Sequence, residues 1–523
     1  MKKSKLMKFP KPVMWILFFF ALLPMFLGTW GYIIENIPVN DALYGTFSLY
    51  YVNPSTDTVN PLVEFARWAA PVCTAFIIGK LIADGLWSAV MWIVCRFMKI
   101  LHRKIAAVYS DDEEAEVYLD SRKYFVVYPE RKFLTYADVN IIMLGSDKES
   151  IEFLHKHIGK ARKHRFYVGL RELETNLLKE TDEDEKISGA QLAYFDICGS
   201  AAMELWDNAA LWKKDRGDEH TVTVFGSGAL GQNILNYGLT MNLFSKEQKI
   251  RYNMIVTEGM YHIRHADLDK KLMNGDNVTF IDVGDSKAFV SALTASDIVI
   301  IAEDASAEIL QTVCAVCTDK HKEIWCYARS RESLAGYFEM RKINIFGCDK
   351  DIFNERNIFR SRIMRNAADI NWAYALKNDA QKAEELRGLY SSPKMSRVLN
   401  STINEMKNDP EQSDTDLRGK AVDILCADHL WRELSGYFKW SNISSAKYKE
   451  IIAVLRKERG YEEEQLAEFE HIRWCRFMFL NFWNYAGKRD NGSKLHRDLV
   501  PFGKLDDDEK SKDIENIRLI IKQ

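Results

Sequence analysis

Apolar positions change their spacing several times along this chain of 523 residues. Residues 13–34 form a run of 22 without a charge, and residues 69–95 form a second long run that contains Lys80 and Asp84. A helix needs about 20 mainly apolar residues to cross a bilayer, so the two runs predict transmembrane helices at 13–34 and 69–95. A secretory signal is the competing reading of the first run, because Lys2, Lys3, Lys5, Lys8 and Lys11 precede it. Against it, the run exceeds the roughly 7–15 apolar residues of a signal, and no A-x-A cleavage site follows.

Between 104 and 375 the apolar residues come in short blocks separated by polar helical stretches. Strands are read at 105–109, 124–128, 139–144 and 165–169, with a helix at 147–158. The pattern restarts at His220, with strands at 221–225, 252–257, 297–302, 322–327 and 344–347 and a helix at 232–243. Such alternation predicts parallel, doubly wound sheets, here as two α/β units at 104–215 and 216–375. Residues 376–423 turn polar and read as a linker with helical pieces. Residues 424–523 read as mainly helical. The expected fold class is a multi-domain membrane protein: two transmembrane helices, two Rossmann-like α/β units and a C-terminal, mainly α module.

Charge orients the expected spans. Residues 1–12 are basic, and Arg96, Lys99, His102, Arg103 and Lys104 follow the second run; residues 35–68 carry Glu35, Asp41, Asp57 and Glu64. Lysine and arginine flanks stay on the cytoplasmic side. Both termini are therefore expected in the cytoplasm, in an inner (plasma) membrane, with 35–68 outside. Lys80 and Asp84 are four residues apart on one helical face. They read either as an intrahelical ion pair or as the lining of a water-filled path. Tyr44, Gly45 and Thr46 stand where a re-entrant pore segment would, without the T-V-G-Y-G filter of potassium channels; a short amphipathic helix is the alternative. A net charge of −3 gives nucleic acid no global attraction. The nine cysteines sit mostly in apolar runs and read as free core thiols. Cys314 and Cys317 lack the second ligand pair of a structural zinc site, so no metal is expected.

Candidate chemistry gathers first at Gly226-Ser227-Gly228-Ala229-Leu230-Gly231, between a strand and a helix. Glycines there allow a tight turn and close approach of a phosphate, and the helix supplies N–H donors. Glu258 ends the next strand and is the candidate ribose partner. Glu303 and Asp304 end the 297–302 strand, at the carboxyl edge where such sheets bind ligands. The implied cofactor is NAD(H), another adenine nucleotide or a nucleotide-derived messenger; a unit that keeps the fold and binds no nucleotide is the alternative. The matching turn of the first unit, Tyr109-Ser-Asp-Asp-Glu-Glu, has acids where glycines are needed and reads as a structural copy. With no Tyr-x-x-x-Lys motif and no Ser–His–Asp set in a strand–turn context, no catalytic residue is assigned and an enzyme is not expected.

Two resemblances extend these readings. The α/β units behind a two-span element resemble the tandem NAD-binding domains that regulate potassium conductance (RCK, or Trk-type, domains), over roughly residues 40–375. That family assembles into rings, which implies a homo-oligomer, with a tetramer favoured. The residues His471-Ile-Arg-Trp474, Trp483-Asn-Tyr485, Lys488-Arg-Asp490-Asn, Lys494-Leu-His496 and Leu499-Val-Pro501-Phe502 resemble the RyR repeat, over about 465–517. Arg473, Lys488, Arg489, Lys494 and His496 offer donors to anionic oxygens. Trp483 and Tyr485 offer ring faces, and Asp490 can read ribose hydroxyls. The alternative is that Trp474, Trp483, Leu499 and Pro501 form the module's own core. The whole reads as a ligand-gated membrane channel or pore-forming effector, of a kind suited to bacterial signalling or defence. Its partners would be lipid, ions and a small nucleotide-type ligand. The alternatives are a non-conducting membrane receptor or scaffold that senses a nucleotide and, ranked below it, a membrane-tethered NAD-dependent oxidoreductase.

Overall fold

The computed structural model describes residues 11–51, 60–112, 115–129, 131–159, 164–172, 191–213, 217–302, 307–317, 322–329, 342–359, 361–407, 416–434 and 436–522. Two bodies divide the chain: a helical body of residues 1–105 with 122–128, and a larger body of residues 106–121 with 129–523.

The helical body holds α1 (Lys11–Ile34), α2 (Val39–Leu49) and α3 (Pro61–Ile100). Asn60 caps α3: its side chain accepts from the Leu62 N–H at 2.9 Å and donates to the Gly31 carbonyl at 3.3 Å. Pro61 follows at the first helical position, where a missing N–H costs nothing. The helices close on glycine. A Cβ on Gly28 would stand 2.8 Å from Thr46 Cγ2, and one on Gly31 would stand 2.8 Å from Val63 Cγ2.

Here the structure corrects the sequence reading. Among the described residues no helix is long and apolar enough to cross a membrane. This overturns the spans at 13–34 and 69–95, the membrane fold class and the inner-membrane location. Absence of charge is a weaker condition than apolarity. Pro24, Gly28, Thr29, Trp30, Gly31 and Tyr32 dilute the first run, and Lys80 with Asp84 break the second. The side chains of Lys80 and Asp84 lie outside the described residues. Tyr44, Gly45 and Thr46 belong to α2. Thr46 is buried, its hydroxyl donating to the Ala42 carbonyl at 2.8 Å and bonded to Thr29 at 3.2 Å, while Tyr44 is exposed. Gly45 and Thr46 are thus packing residues of a helix.

The larger body contains two parallel sheets. The first runs β1 (Lys104–Ser110), β3 (Val139–Met143), β4 (Arg165–Leu170), β5 (Gln191–Asp196), in that order. The strand numbered β2 (Tyr124–Val127) is grouped with the helical body. Helix α4 (Asp147–Ile158) lies between β3 and β4, as expected, capped by Ser146 accepting from Glu149 N–H. Helix α5 (Ile197–Ala209) follows β5. The second sheet holds β6 (Glu219–Phe225), β7 (Lys249–Val256), β8 (Asn277–Asp282), β9 (Ile298–Ile301), β10 (Glu323–Tyr327) and β11 (Ile343–Phe346). Its spatial order is β8-β7-β6-β9-β10-β11, the 3-2-1-4-5-6 order of dinucleotide-binding folds. Helix α6 (Ala229–Met241) joins β6 to β7. Strands β5 and β8 were not read from the sequence; β8 is a half-exposed edge strand with little apolar signal.

Helices α7 (Ser361–Asn378), α8 (Ala380–Ser391), α9 (Ser396–Lys407) and α10 (Leu417–Glu433) come next. They bury Trp372, Leu386, Tyr390, Leu399 and Cys426 in one cluster. The polar stretch expected as a linker thus carries a packed helical core. The chain ends with α11 (Gly436–Val454), α12 (Glu463–Leu480), a two-stranded ladder Asn484–Tyr485 with Leu495–His496, and α13 (Asp507–Lys522).

Candidate ligand-binding site

The glycine turn stands at the switch point of the second sheet, where β6 and β9 part to opposite sides. Gly226 has φ 107°, a conformation that favours glycine. Gly231 is required by packing: a Cβ there would meet the Gly226 carbonyl oxygen at 2.0 Å. Gly228 is the N-cap of α6. The first N–H groups of a helix have no partner within it, so Ala229, Leu230 and Gly231 present donors at this end. A Cβ on Gly228 would stand 2.6 Å from Glu258 Oε1. The exposed Glu258 carboxylate therefore hangs directly over the turn.

Ser227 is committed to structure. It is 1% exposed, its Oγ accepts from Glu258 N–H at 2.9 Å and Thr257 N–H at 3.1 Å, and it donates to the Glu258 carbonyl. The seryl side chain thus ties the turn to the end of β7 and fixes where Glu258 starts. Glu303 and Asp304 lie outside the described residues.

The acid-filled turn after β1 is neutralised from within the chain. Arg131 donates to Asp111 through Nε at 2.7 Å and Nη2 at 2.6 Å and also pairs with Glu149. The Gly145 N–H donates to Asp111 at 2.9 Å. The bond from Arg131 is the main reason the Asp111 carboxyl is held below its ordinary range. Asp112 pairs with Arg329, which also holds Asp349 at 3.1 Å. These arginines offset the acids of the turn.

The C-terminal module distributes its predicted residues differently from a single site. Arg473, 1% exposed, donates to both Glu470 oxygens at 2.7 and 2.9 Å and to Ser444 Oγ at 2.7 Å. Trp483 is buried and stacks on Tyr437 with ring centroids 5.4 Å apart. His496 is buried against Trp474 and accepts from the Asp498 N–H at 3.2 Å; burial lowers its pKa. Asp490 closes its own turn, accepting from Gly492 N–H at 2.9 Å and Ser493 Oγ at 2.8 Å. Tyr485, Lys488, Arg489 and Lys494 are exposed; Arg489 bonds Asn491 at 2.9 Å and lies 5.9 Å from the Phe438 ring centroid.

Deeper in the module, His471 Nδ1 meets Asp513 Oδ2 at 3.2 Å, its Nε2 donates to the Val500 carbonyl at 2.8 Å, and Cys475 Sγ is 3.4 Å from Nε2. Burial opposes a charge on His471. The bonds to Asp513 and Cys475 overcome it and push the imidazole up to about 10. The trio has the order of a Cys–His–Asp set, but burial raises the thiol, and a nucleophilic cysteine must be reachable as thiolate. Its role is packing.

Residues 452–523 match the RyR domain. No curated protein matches the chain. Among solved structures, a dipicolinate synthase subunit from Bacillus halodurans is similar at a TM-score of 0.22 and 14% identity, over 47% of this chain and 88% of that one. A likeness at that score carries no argument about fold or activity.

The RyR domain, with helix α11 before it, rests on the back of α6. Tyr448 OH donates to the Leu243 carbonyl, Lys447 Nζ bonds Tyr237 OH, and Lys246 pairs with Glu468. At the centre of this contact Arg476 is fully buried. Its guanidinium donates to the Leu239 and Leu272 carbonyls at 2.9 and 3.1 Å, to Asn274 Oδ1 at 2.6 Å and to Asp276 Oδ2 at 2.8 Å. Sequence reasoning passed over Arg476, Asp276 and Arg171, because nothing local marks them. Only the sign of an arginine set among Trp474, Cys475 and Phe477 could have suggested a buried cation.

Proposed function

We propose that the protein is a nucleotide sensor in which the second sheet takes an adenine nucleotide at Gly226–Gly231 and the RyR domain reads its occupancy through α6. The observation that carries this reading is the glycine turn at the switch point of a 3-2-1-4-5-6 sheet, with Gly231 pressed on Gly226 and Glu258 over Gly228. Backbone donors and the helix dipole suit a phosphate there, and the carboxylate suits ribose hydroxyls. Helix α6 ties the two parts: its N-terminus belongs to the turn, and its far side to the RyR domain. A ligand that pulls on this N-terminus would reach Arg476 through the Leu239 carbonyl. The exposed cations on the RyR turn are left as a surface for the reporting partner.

The test is calorimetry on the full chain with AMP, ADP, ATP and NAD+. Binding of at least one is expected, and Gly228→Val should abolish it by filling the phosphate's approach. If none binds, or if Gly228→Val binds as the natural chain does, the sheet is structural and the reading fails.

A further inference from the structure

Both sheets end at one small cavity. Arg171 follows β4, Cys198 opens α5, Leu230 and Ala302 flank the switch point of the second sheet, and Ile352 and Phe353 close the far side. The cavity measures about 150 Å³, whereas pockets for small molecules run to roughly 300–1,000 Å³. In a sheet of this order a dinucleotide lies across the switch point. One nucleotide covers β6 and β7, where Glu258 stands exposed. The other covers β9 to β11, and here that half is walled off.

The wall belongs to the core. Helix α5 of the first sheet packs on α6 of the second: Trp206 Nε1 donates to the Ile234 carbonyl at 2.9 Å, and a Cβ on Gly238 would meet the Trp206 ring at 2.8 Å. The Gly347 N–H donates to Glu204 Oε2 at 2.7 Å, pinning α5 to the end of β11. Ile352 and Phe353 are each 2% exposed. Room for a second nucleoside would require these contacts to break.

The cavity's charge points the same way. Its carboxylate, Asp349, is already paired with Arg329. Its cation, Arg171, is half-buried. The hydrogen bond it makes is from its backbone N–H, to Asp147 Oδ1 at 2.8 Å, and among the described residues its guanidinium is uncommitted. The Cys198 thiol beside it is pushed up, first by burial and then by the Asp196 carboxylate, and the Arg171 charge opposes that rise.

We propose that the site takes an adenine mononucleotide with a phosphate chain, not a dinucleotide, and that Arg171 of the first sheet meets the terminal phosphate in the space a second nucleoside would need. This rests on the nucleotide reading above and adds to it a ligand class and a positioning residue. A planar guanidinium suits a phosphate because it can donate two parallel bonds.

The experiment is titration calorimetry of the full chain with AMP, ADP, ATP and NAD+, on the natural sequence, Arg171→Ala, Arg171→Lys, Ile352→Ala and Gly228→Val. ADP and ATP should bind at least tenfold tighter than NAD+. Arg171→Ala should weaken ADP and ATP more than tenfold and AMP by less, with Arg171→Lys between them and the melting temperature unchanged. Ile352→Ala leaves the Trp206 and Gly347 contacts in place, so NAD+ should remain the weaker ligand. NAD+ binding as tightly as ADP, or ADP indifferent to Arg171→Ala while still lost in Gly228→Val, overturns this proposal and leaves the sensor reading standing. Absence of all nucleotide binding, or binding indifferent to Gly228→Val, overturns both.

Discussion

Replacing Arg476 by methionine removes a charge while keeping most of the packing volume. The natural guanidinium is fully buried and serves two backbone carbonyls, Asn274 and Asp276. Asp276 is buried too, and its carboxylate also accepts from Ile250 N–H and Gln248 Nε2, both at 2.8 Å. The substitution therefore leaves a buried carboxylate with neutral donors alone and orphans the Leu239 and Leu272 carbonyls. Breaking one partner of a buried ion pair costs about 3–5 kcal/mol. The donors that stay on Asp276 put this case near the lower end, about 3 kcal/mol. At about 2–4 °C per kcal/mol for domains of about 150–250 residues, and less for a larger body, the melting temperature should fall by about 5 °C. Scanning calorimetry of the full chain measures it. Asp276→Asn should remove part of the penalty, so the Arg476→Met, Asp276→Asn double variant should be more stable than the sum of the two changes by about 1 kcal/mol or more. A melting temperature within 1 °C of the natural chain, or strict additivity, would refute the claim that this pair holds the RyR domain to the second sheet.

Stability should also depend on pH through His471. Its pKa is raised in the folded protein to about 10, so its contribution is fully present below the unfolded value of about 6.5 and is lost as pH rises through about 10. Melting temperatures from pH 6 to 10 should fall with a slope that His471→Gln abolishes; equal slopes in both proteins would remove the charge from the argument. Gly231→Ala places a Cβ 2.0 Å from the Gly226 oxygen and should cost about 1–3 kcal/mol or prevent folding, whereas Gly503→Ala, with nothing within 4 Å, should melt within 1 °C of the natural chain. Glu258→Gln changes an exposed carboxylate and should leave melting unchanged while weakening nucleotide binding about tenfold, the worth of a charged hydrogen bond of roughly 1.5 kcal/mol; unchanged affinity would take Glu258 off the ribose.

The α/β half was legible because its signals are local. Blocks such as Val139-Asn-Ile-Ile-Met and Thr221-Val-Thr-Val-Phe are strands wherever the chain carries them, and the glycine turn needs only its neighbours to be recognised. β5 and β8 escaped because an edge or mixed strand buries too little to leave an apolar block. The helices at 13–34 and 69–95 were over-read: a count of missing charges does not register Pro24, Thr29 or Tyr32. The RyR resemblance survived, since tryptophans and histidines at fixed spacing identify a module even before their contacts are known. The roles within it were harder to see. Arg473 and Arg489 look alike on paper, yet one is locked to Glu470 in the core and the other stands in water. The cavity at Arg171 was invisible for a further reason: it forms where the ends of two sheets face each other, and no single segment records that.

Arg476 also changes what it means to cut this protein apart. The family match begins at residue 452, inside α11, which runs Gly436–Val454. The core of the matched segment borrows Trp440, Ile443 and Ala446 from that helix and Ala367 from further upstream. A fragment trimmed to the match would leave those partners behind, sever Tyr448 from the piece it supports and turn a cation made for an oxygen-lined socket out into solvent. The unit of homology is thus smaller than the unit of folding. An expression fragment chosen by the family boundary should be expected to aggregate, however well its own sequence is preserved.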